Sequence, residues 1–309
     1  MKTRIKTGAL LIALLLAVVA VDGTWPGPWP DASQWRSWWG DASARPPIGL
    51  AITLFTLVVV APLLGSEFAR LLAAAQGTPL RGVPRAIPLG TALTALAVLL
   101  AGLGPSGPGT AMLPVVTVIL TATMALLAGL KPAAVSGDLR SPLLAAAGGS
   151  LAAAYAGGAL GGWLLLRQEH DAWVLGAAVL SIKSCDIGAY FTGVAIGRRK
   201  LIPWLSPGKT WEGLVGGVCT SAAVAAGCAF WGQAVLEVAA GGLPGPAVAA
   251  VFGGLLGLLG QAGDLAESVL KRAAGAKDSG RTLPGLGGIF DVMDSLLPAG
   301  FLLPLLLAN

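Results

Sequence analysis

The stretch "SPGKTWEG" at residues 206–213 sets a lysine, two hydroxyls and a glutamate between long apolar runs. Its Gly208-Lys209-Thr210 matches the end of a phosphate-binding loop. A complete loop of that kind needs Gly-x-x-x-x-Gly-Lys-Thr, and the position five before Gly208 is Pro203. The segment is therefore not such a loop. It reads as a cationic, hydroxyl-bearing turn that opens a helix, whose N-terminus attracts anions.

Other charged residues fall at spacings that gather them. In "GDLAESVLKR", Asp264, Glu267, Ser268 and Lys271 follow i, i+3, i+4, i+7 and share one stripe of a helix. In "FDVMDS", Asp291 and Asp294 share a face in the first turn of the last helix, where the dipole favours carboxylates. In "KSCDIGAY", Lys183, Asp186 and Tyr190 again share a stripe. The segment "KDSGRTLPGLGGIFD" at 277–291 is a loop by its glycines and proline. Its Lys277 and Arg281 can reach phosphate, and Gly285, Gly287 and Gly288 let backbone N–H groups approach an anion. Carboxylates among lysines and glycine loops are the parts of a metal–phosphate site, since Mg²⁺ takes carboxylate and phosphate oxygens.

Composition says where this chemistry happens. The chain has 309 residues, 55% hydrophobic and only 11% charged, with a mean hydropathy of +0.78. A soluble domain carries roughly 25% charged residues, so this is a membrane protein. The net charge of +5, without a long basic run, does not support nucleic-acid binding. The only histidine, His170, sits in the charged loop "RQEHDAW", so histidine acid–base chemistry has no material. Cys185, Cys219 and Cys228 form no CxxC pair and read as small apolar residues.

A helix crosses a bilayer core in about 20 apolar residues. On that ruler nine spans are expected, at 8–22, 47–65, 86–104, 112–130, 142–166, 172–192, 213–236, 246–266 and 289–308. The fold class is all-α and polytopic. The first span also reads as a cleavable leader, because Lys2, Arg4 and Lys6 precede it and it ends in the small-residue stretch "AVVAVDG"; a retained helix is the expectation. Residues 1–140 form N-terminal membrane helices and 141–309 the catalytic helices of one integral unit. With an inside N-terminus, only Arg36, Arg45 and Arg167 of the twenty basic residues fall outside, and Lys183 lies within a span. The positive-inside rule then puts the N-terminus in the cytoplasm. The Trp-rich stretch 25–39 falls outside as an interfacial segment. Asp186, Glu212, Asp264, Glu267, Asp278, Asp291 and Asp294 all fall at or near the cytoplasmic face. Carboxylates there are costly and point to function.

Taken together, the motifs resemble the phosphatidate cytidylyltransferase (CDP-diacylglycerol synthase) family over about residues 145–300. "CDIGAYFTG" resembles that family's Asp-x-Gly-Ala-Tyr stretch, and "SPGKTWEGLVGG" its Ser-Pro-x-Lys-Thr-x-Glu-Gly turn. "GDLAESVLKRAAGAKDSGRTLPGLGGIFDVMDS" resembles the family signature, matching at Ser268, Lys271, Arg272, Lys277, Asp278, Pro284, Gly285, Gly287, Gly288, Asp291 and Asp294. Leu286 stands where the family has His, and Val292 where it has Arg.

The resemblance implies transfer of CMP from CTP to phosphatidate, a magnesium-dependent site facing the cytoplasm of a bacterial plasma membrane, and a homodimer. It makes Asp264 and Asp291 metal ligands, with Asp278 and Asp294 next in line. Ser206, Lys209 and Thr210 then bind phosphates or metal-bound water, and Lys271, Arg272, Lys277 and Arg281 hold triphosphate or phosphatidate. Asp186 is open between the site and a structural pair with Lys183. Also open are a CTP-dependent polyprenol kinase, an ether-lipid CDP synthase, a transporter and a non-catalytic paralogue.

Overall fold

The protein is described from a computed structural model, which covers residues 50–75, 77, 86–103, 108–137, 140–170, 172–235 and 245–306. The expected first span at 8–22, its leader reading and the Trp-rich stretch 25–39 lie outside the described residues.

Helices dominate. α1 (Leu50–Phe55) runs through a π segment, Thr56–Val60, into α2 (Ala61–Ala75). α3 (Ala86–Leu103), α4 (Pro108–Ser136) and α5 (Arg140–Ala152) follow, and a second π segment, Ala153–Gly157, leads into α6 (Gly158–Glu169). α7 (Ala172–Ile196) precedes a two-stranded antiparallel hairpin of β1 (Lys200–Ile202) and β2 (Ser206–Thr210). Next come α8 (Trp211–Val235), α9 (Pro246–Ala273), a short α10 (Phe290–Met293) and α11 (Leu297–Leu306). Among the described residues five helices are long and apolar enough to cross a membrane: Ile52–Ala75, Pro142–Gln168, Val174–Ile196, Trp211–Gly232 and Pro246–Ala273. Shorter apolar helices lie at Ala86–Gly102 and Pro114–Leu127. The protein is thus an all-α polytopic membrane protein, as its composition requires.

The structure departs from the sequence reading in several places, and three of them bear on the residues described below. The span expected to end at 65 continues as helix to Ala75, because "SEFARLLAAA" is built of good helix formers. Residues 206–210 form a strand, not a turn: Ser206 pairs with Ile202 and Thr210 with Lys200. A hairpin lets this polar segment satisfy its own backbone before the helix begins. The expected last span is broken, with α10 ending at Met293 and α11 starting at Leu297.

Two compact units can be distinguished. The first takes the described residues up to Gln168, with Ala273–Val292 and those from Gly300 onward; the second is Glu169–Arg272 and Met293–Ala299.

In the first unit α2, α3, α4 and α5 pack against one another in sequence. Small residues let them approach: a Cβ on Gly157 would lie 2.6 Å from the Thr91 carbonyl oxygen. Buried hydroxyls find partners within their own helices. Thr91 donates to the Ile87 carbonyl at 2.9 Å and Thr94 to that of Gly90 at 2.8 Å, which keeps polar groups paired where no water can reach.

In the second unit α7 and α8 pack along their lengths. The buried Ser221 hydroxyl lies 2.7 Å from the Ser181 carbonyl oxygen and 2.6 Å from that of Gly253, so one side chain of α8 ties α7 to α9. The hairpin hands over to α8 through a capping arrangement. Thr210 Oγ1 accepts the Gly213 N–H at 3.0 Å, the usual N-cap bond. Glu212 accepts the backbone N–H groups of Arg198 at 3.1 Å and Arg199 at 3.2 Å, and its charge suits the helix N-terminus.

Candidate active site

In the second unit a chain of polar side chains starts at the hairpin and ends between the helices. Lys209 of β2 ion-pairs with Asp264 of α9 at 2.5 Å. Its Nζ also donates to Gln261 Oε1 at 2.8 Å, and Gln261 Nε2 donates to Asp186 Oδ1 of α7 at 2.6 Å. Lys183, one turn before Asp186, donates to Ser295 Oγ at 2.6 Å. The Ser295 N–H in turn donates to Asp294 Oδ1 at 2.5 Å. α9 comes close to the segment after α10 because Gly263 has no side chain; a Cβ there would strike the Asp294 carbonyl oxygen.

Asp264, Glu267 and Asp294 offer carboxylate oxygens that all lie within 4.8 Å of one another, with Glu267 and Asp294 buried. Two like charges at that separation repel by about 3.5 kcal/mol at an effective dielectric of 20. Lys209 answers Asp264, and Lys271 answers Glu267 at 2.6 Å. The helical stripe expected of Asp264, Glu267 and Lys271 is thus realised. An all-oxygen donor set of this kind fits Mg²⁺ chemically.

In the first unit the glycine-rich loop closes on its carboxylate. Asp291 Oδ2 accepts the Ser279 N–H at 2.8 Å, the Ser279 hydroxyl at 2.7 Å and the Gly288 N–H at 2.7 Å. The Leu283 N–H donates to the Gly287 carbonyl at 2.8 Å. Gly285 and Gly287 take φ of 82° and 98°, which side-chain-bearing residues rarely adopt. A Cβ on Gly287 would also strike the Asp291 carboxylate. Lys277, Asp278 and Arg281 are exposed on this loop.

The expected site residues thus divide. Lys209, Asp264, Asp294 and Lys271 come together in the second unit, with Asp186 joined to them through Gln261. Lys277, Asp278, Arg281, Gly287, Gly288 and Asp291 belong to the loop of the first unit. Thr210 is buried and caps α8, Ser206 opens β2, and Arg272 is exposed at the end of α9. Gln261, Ser279, Ser295 and Glu67 escaped the sequence reading. Gln261 lies three residues before Asp264 on the same stripe, a spacing that could have flagged it. Glu67 is a carboxylate within an apolar helical run, a costly placement that is itself a signal.

The model of the "Cytidylyltransferase family" matches residues 47–308. Proteins named phosphatidate cytidylyltransferase are similar: one from Brucella suis is 51% identical over 120 residues, 39% of this chain and 41% of that protein. One from Bacillus subtilis is 43% identical over 130 residues, 42% and 44% of the two chains. One from Haemophilus influenzae is 38% identical over 145 residues, 45% and 49%. The matched stretch spans less than half the length of each of these relatives.

Proposed function

The chain belongs to the cytidylyltransferase family, and from that premise we propose that it is a CTP:phosphatidate cytidylyltransferase. The observation that carries this reading is the ion pair between Lys209 and Asp264. It joins the two motifs that resemble the family, "SPGKTWEG" and "GDLAESVLKR", within one unit.

In the proposed reaction a phosphate oxygen of phosphatidate attacks the α-phosphorus of CTP. The bond from that phosphorus to the oxygen bridging to the β-phosphate breaks, and pyrophosphate leaves. The nucleophile is a phosphate monoester, largely ionised near neutral pH, so no strong base is required. What remains is positioning and charge stabilisation. Lys209 supplies positive charge to the phosphates, and Gln261 holds its ammonium in place. Lys271, Arg272, Lys277 and Arg281 are the proposed anchors for triphosphate or phosphatidate; the N–H groups of Gly287 and Gly288, expected to meet an anion, are instead given to the Leu283 carbonyl and to Asp291 within the loop. Mg²⁺, when bound, would neutralise phosphate charge. Its proposed holders are, in the second unit, Asp264, with Glu267 and Asp294 clustered next to it, and, in the first unit, Asp291, with Asp278 on the same loop. Asp291 Oδ2 already accepts from Ser279 and Gly288.

The reading further includes a site facing the cytoplasm, on the positive-inside pattern, catalytic helices over 141–309, and a homodimer. The test is direct. Purified protein with labelled CTP and Mg²⁺ is given either phosphatidate or a polyprenol, and the product is identified. CDP-diacylglycerol with pyrophosphate is expected. A phosphorylated polyprenol, or no product with either lipid, would overturn the reading.

A further inference from the structure

Glu67 lies in α2, far in sequence from every motif described above. None of its side chain is exposed, although the helix around it belongs to an apolar span. A buried carboxylate in such a place is costly unless donors surround it. Here the donors come from one loop. Glu67 Oε2 accepts the Phe290 N–H at 2.9 Å and lies 3.2 Å from the Ser279 hydroxyl. Oε1 accepts the Thr282 hydroxyl. Arg70, one turn along α2, adds its guanidinium at 3.7 Å.

The loop is shaped to the carboxylate. A Cβ on Gly280 would lie 2.5 Å from Glu67 Oε1, and one on Gly288 would strike Oε2. Glycine at these two positions is what lets the backbone close around the side chain. The neighbouring Phe68 packs on Phe290 with ring centroids 5.5 Å apart, and both rings are buried. Ser279 links the two carboxylates of the loop, since its hydroxyl lies between Glu67 Oε2 and Asp291 Oδ2.

We propose that Glu67 is the positioning residue for the 277–290 loop, pinning it at Ser279, Thr282 and Phe290 so that Lys277, Asp278 and Arg281 are presented in one fixed arrangement to a nucleoside triphosphate. The N-terminal helices thereby take part in nucleotide binding without contributing a group that touches the nucleotide. This inference rests on the proposed cytidylyl transfer for the identity of the ligand, while the pinning stands on the contacts alone.

Two measurements on the full-length protein test it. Hydrogen exchange over 278–290 is compared in wild type and Glu67→Gln, which keeps the shape but offers one acceptor oxygen in place of two. Faster exchange in the loop by about tenfold or more is expected, on the scale of hydrogen bonds to a charged group, with α7 and α8 unchanged. Steady-state kinetics are run on the same proteins with CTP and phosphatidate varied in turn. A rise of about tenfold in the KM for CTP is expected, with the KM for phosphatidate and kcat changed much less. Thr282→Val, which removes one donor and leaves the carboxylate, should show the same pattern more weakly and serves if Glu67→Gln does not fold. Unchanged loop exchange, or a uniform loss of active protein with an unaltered KM for CTP, would overturn the proposal. If wild type makes no CDP-diacylglycerol, the functional reading fails, and the exchange comparison still decides whether Glu67 pins the loop.

Discussion

A neutral amide stands between two charged groups at Gln261. Its oxygen faces Lys209 and its nitrogen faces Asp186, so its two ends are used in opposite senses and its orientation is set by both neighbours. Lys209 in turn touches Asp264. Substitutions along this chain should therefore be non-additive. Lys209→Ala is expected to cut turnover by roughly a hundredfold or more, the scale of a lost electrostatic contact in the transition state. Gln261→Leu should cost about tenfold, and the double variant should be no worse than Lys209→Ala alone. Near-normal turnover in folded Lys209→Ala would leave the lysine a merely structural partner of α9. Asp264→Asn and Asp291→Asn should each abolish turnover in protein that still folds, and activity should vanish in chelator and return with Mg²⁺. If Asp291→Asn retained wild-type turnover, Asp291 would be a loop-holding residue only.

At the scale of elements, close approach and capping decide what the site can be. α9 lies against the segment following α10 at Gly263, where an added Cβ would meet the Asp294 carbonyl oxygen and the Pro298 ring. Gly263→Ala should destabilise the protein by about 1–3 kcal/mol through overpacking, read as a lower midpoint of thermal unfolding in detergent. Gly208 has open space where a Cβ would go, so Gly208→Ala should leave that midpoint within error. The contrast separates packing from composition, because both changes are glycine to alanine. Thr210→Val removes the cap of α8 while keeping the side chain's size, and a loss of about 1 kcal/mol is expected.

At the scale of the whole molecule, orientation is the quantity that charge alone implies. The basic residues collect on one side of the expected spans, and on that pattern the hairpin is proposed to face the cytoplasm. Thr210 is buried and would report poorly, whereas Gly208 is exposed in the hairpin. A single cysteine at Gly208, with Cys185, Cys219 and Cys228 replaced, should resist a membrane-impermeant thiol reagent in intact cells and react after permeabilisation. Strong reaction in intact cells would invert the assigned topology. The two compact units each carry their own acidic group, Asp264 with Glu267 and Asp294 in one, Glu67 with Asp291 in the other.

By itself the sequence determined the class, most of the helices and the residue types proposed for the site. Long apolar runs leave a chain no alternative to membrane helices, since every backbone group must be satisfied within the segment. Spacing at three and four residues was enough to place Asp264, Glu267 and Lys271 on one stripe. The turn glycines at 285 and 287 were legible because few other residues accept positive φ. Partnership was not legible, because it depends on which helices meet. Only the tertiary structure turned "SPGKT" into a strand, since strand formation needs Lys200–Ile202 beside it. Only it joined Lys209 to Gln261 across a separation of 52 residues, and Glu67 to Phe290 across 223. A local pattern records the period of a helix, whereas a hydrogen bond between distant segments records where packing has brought them.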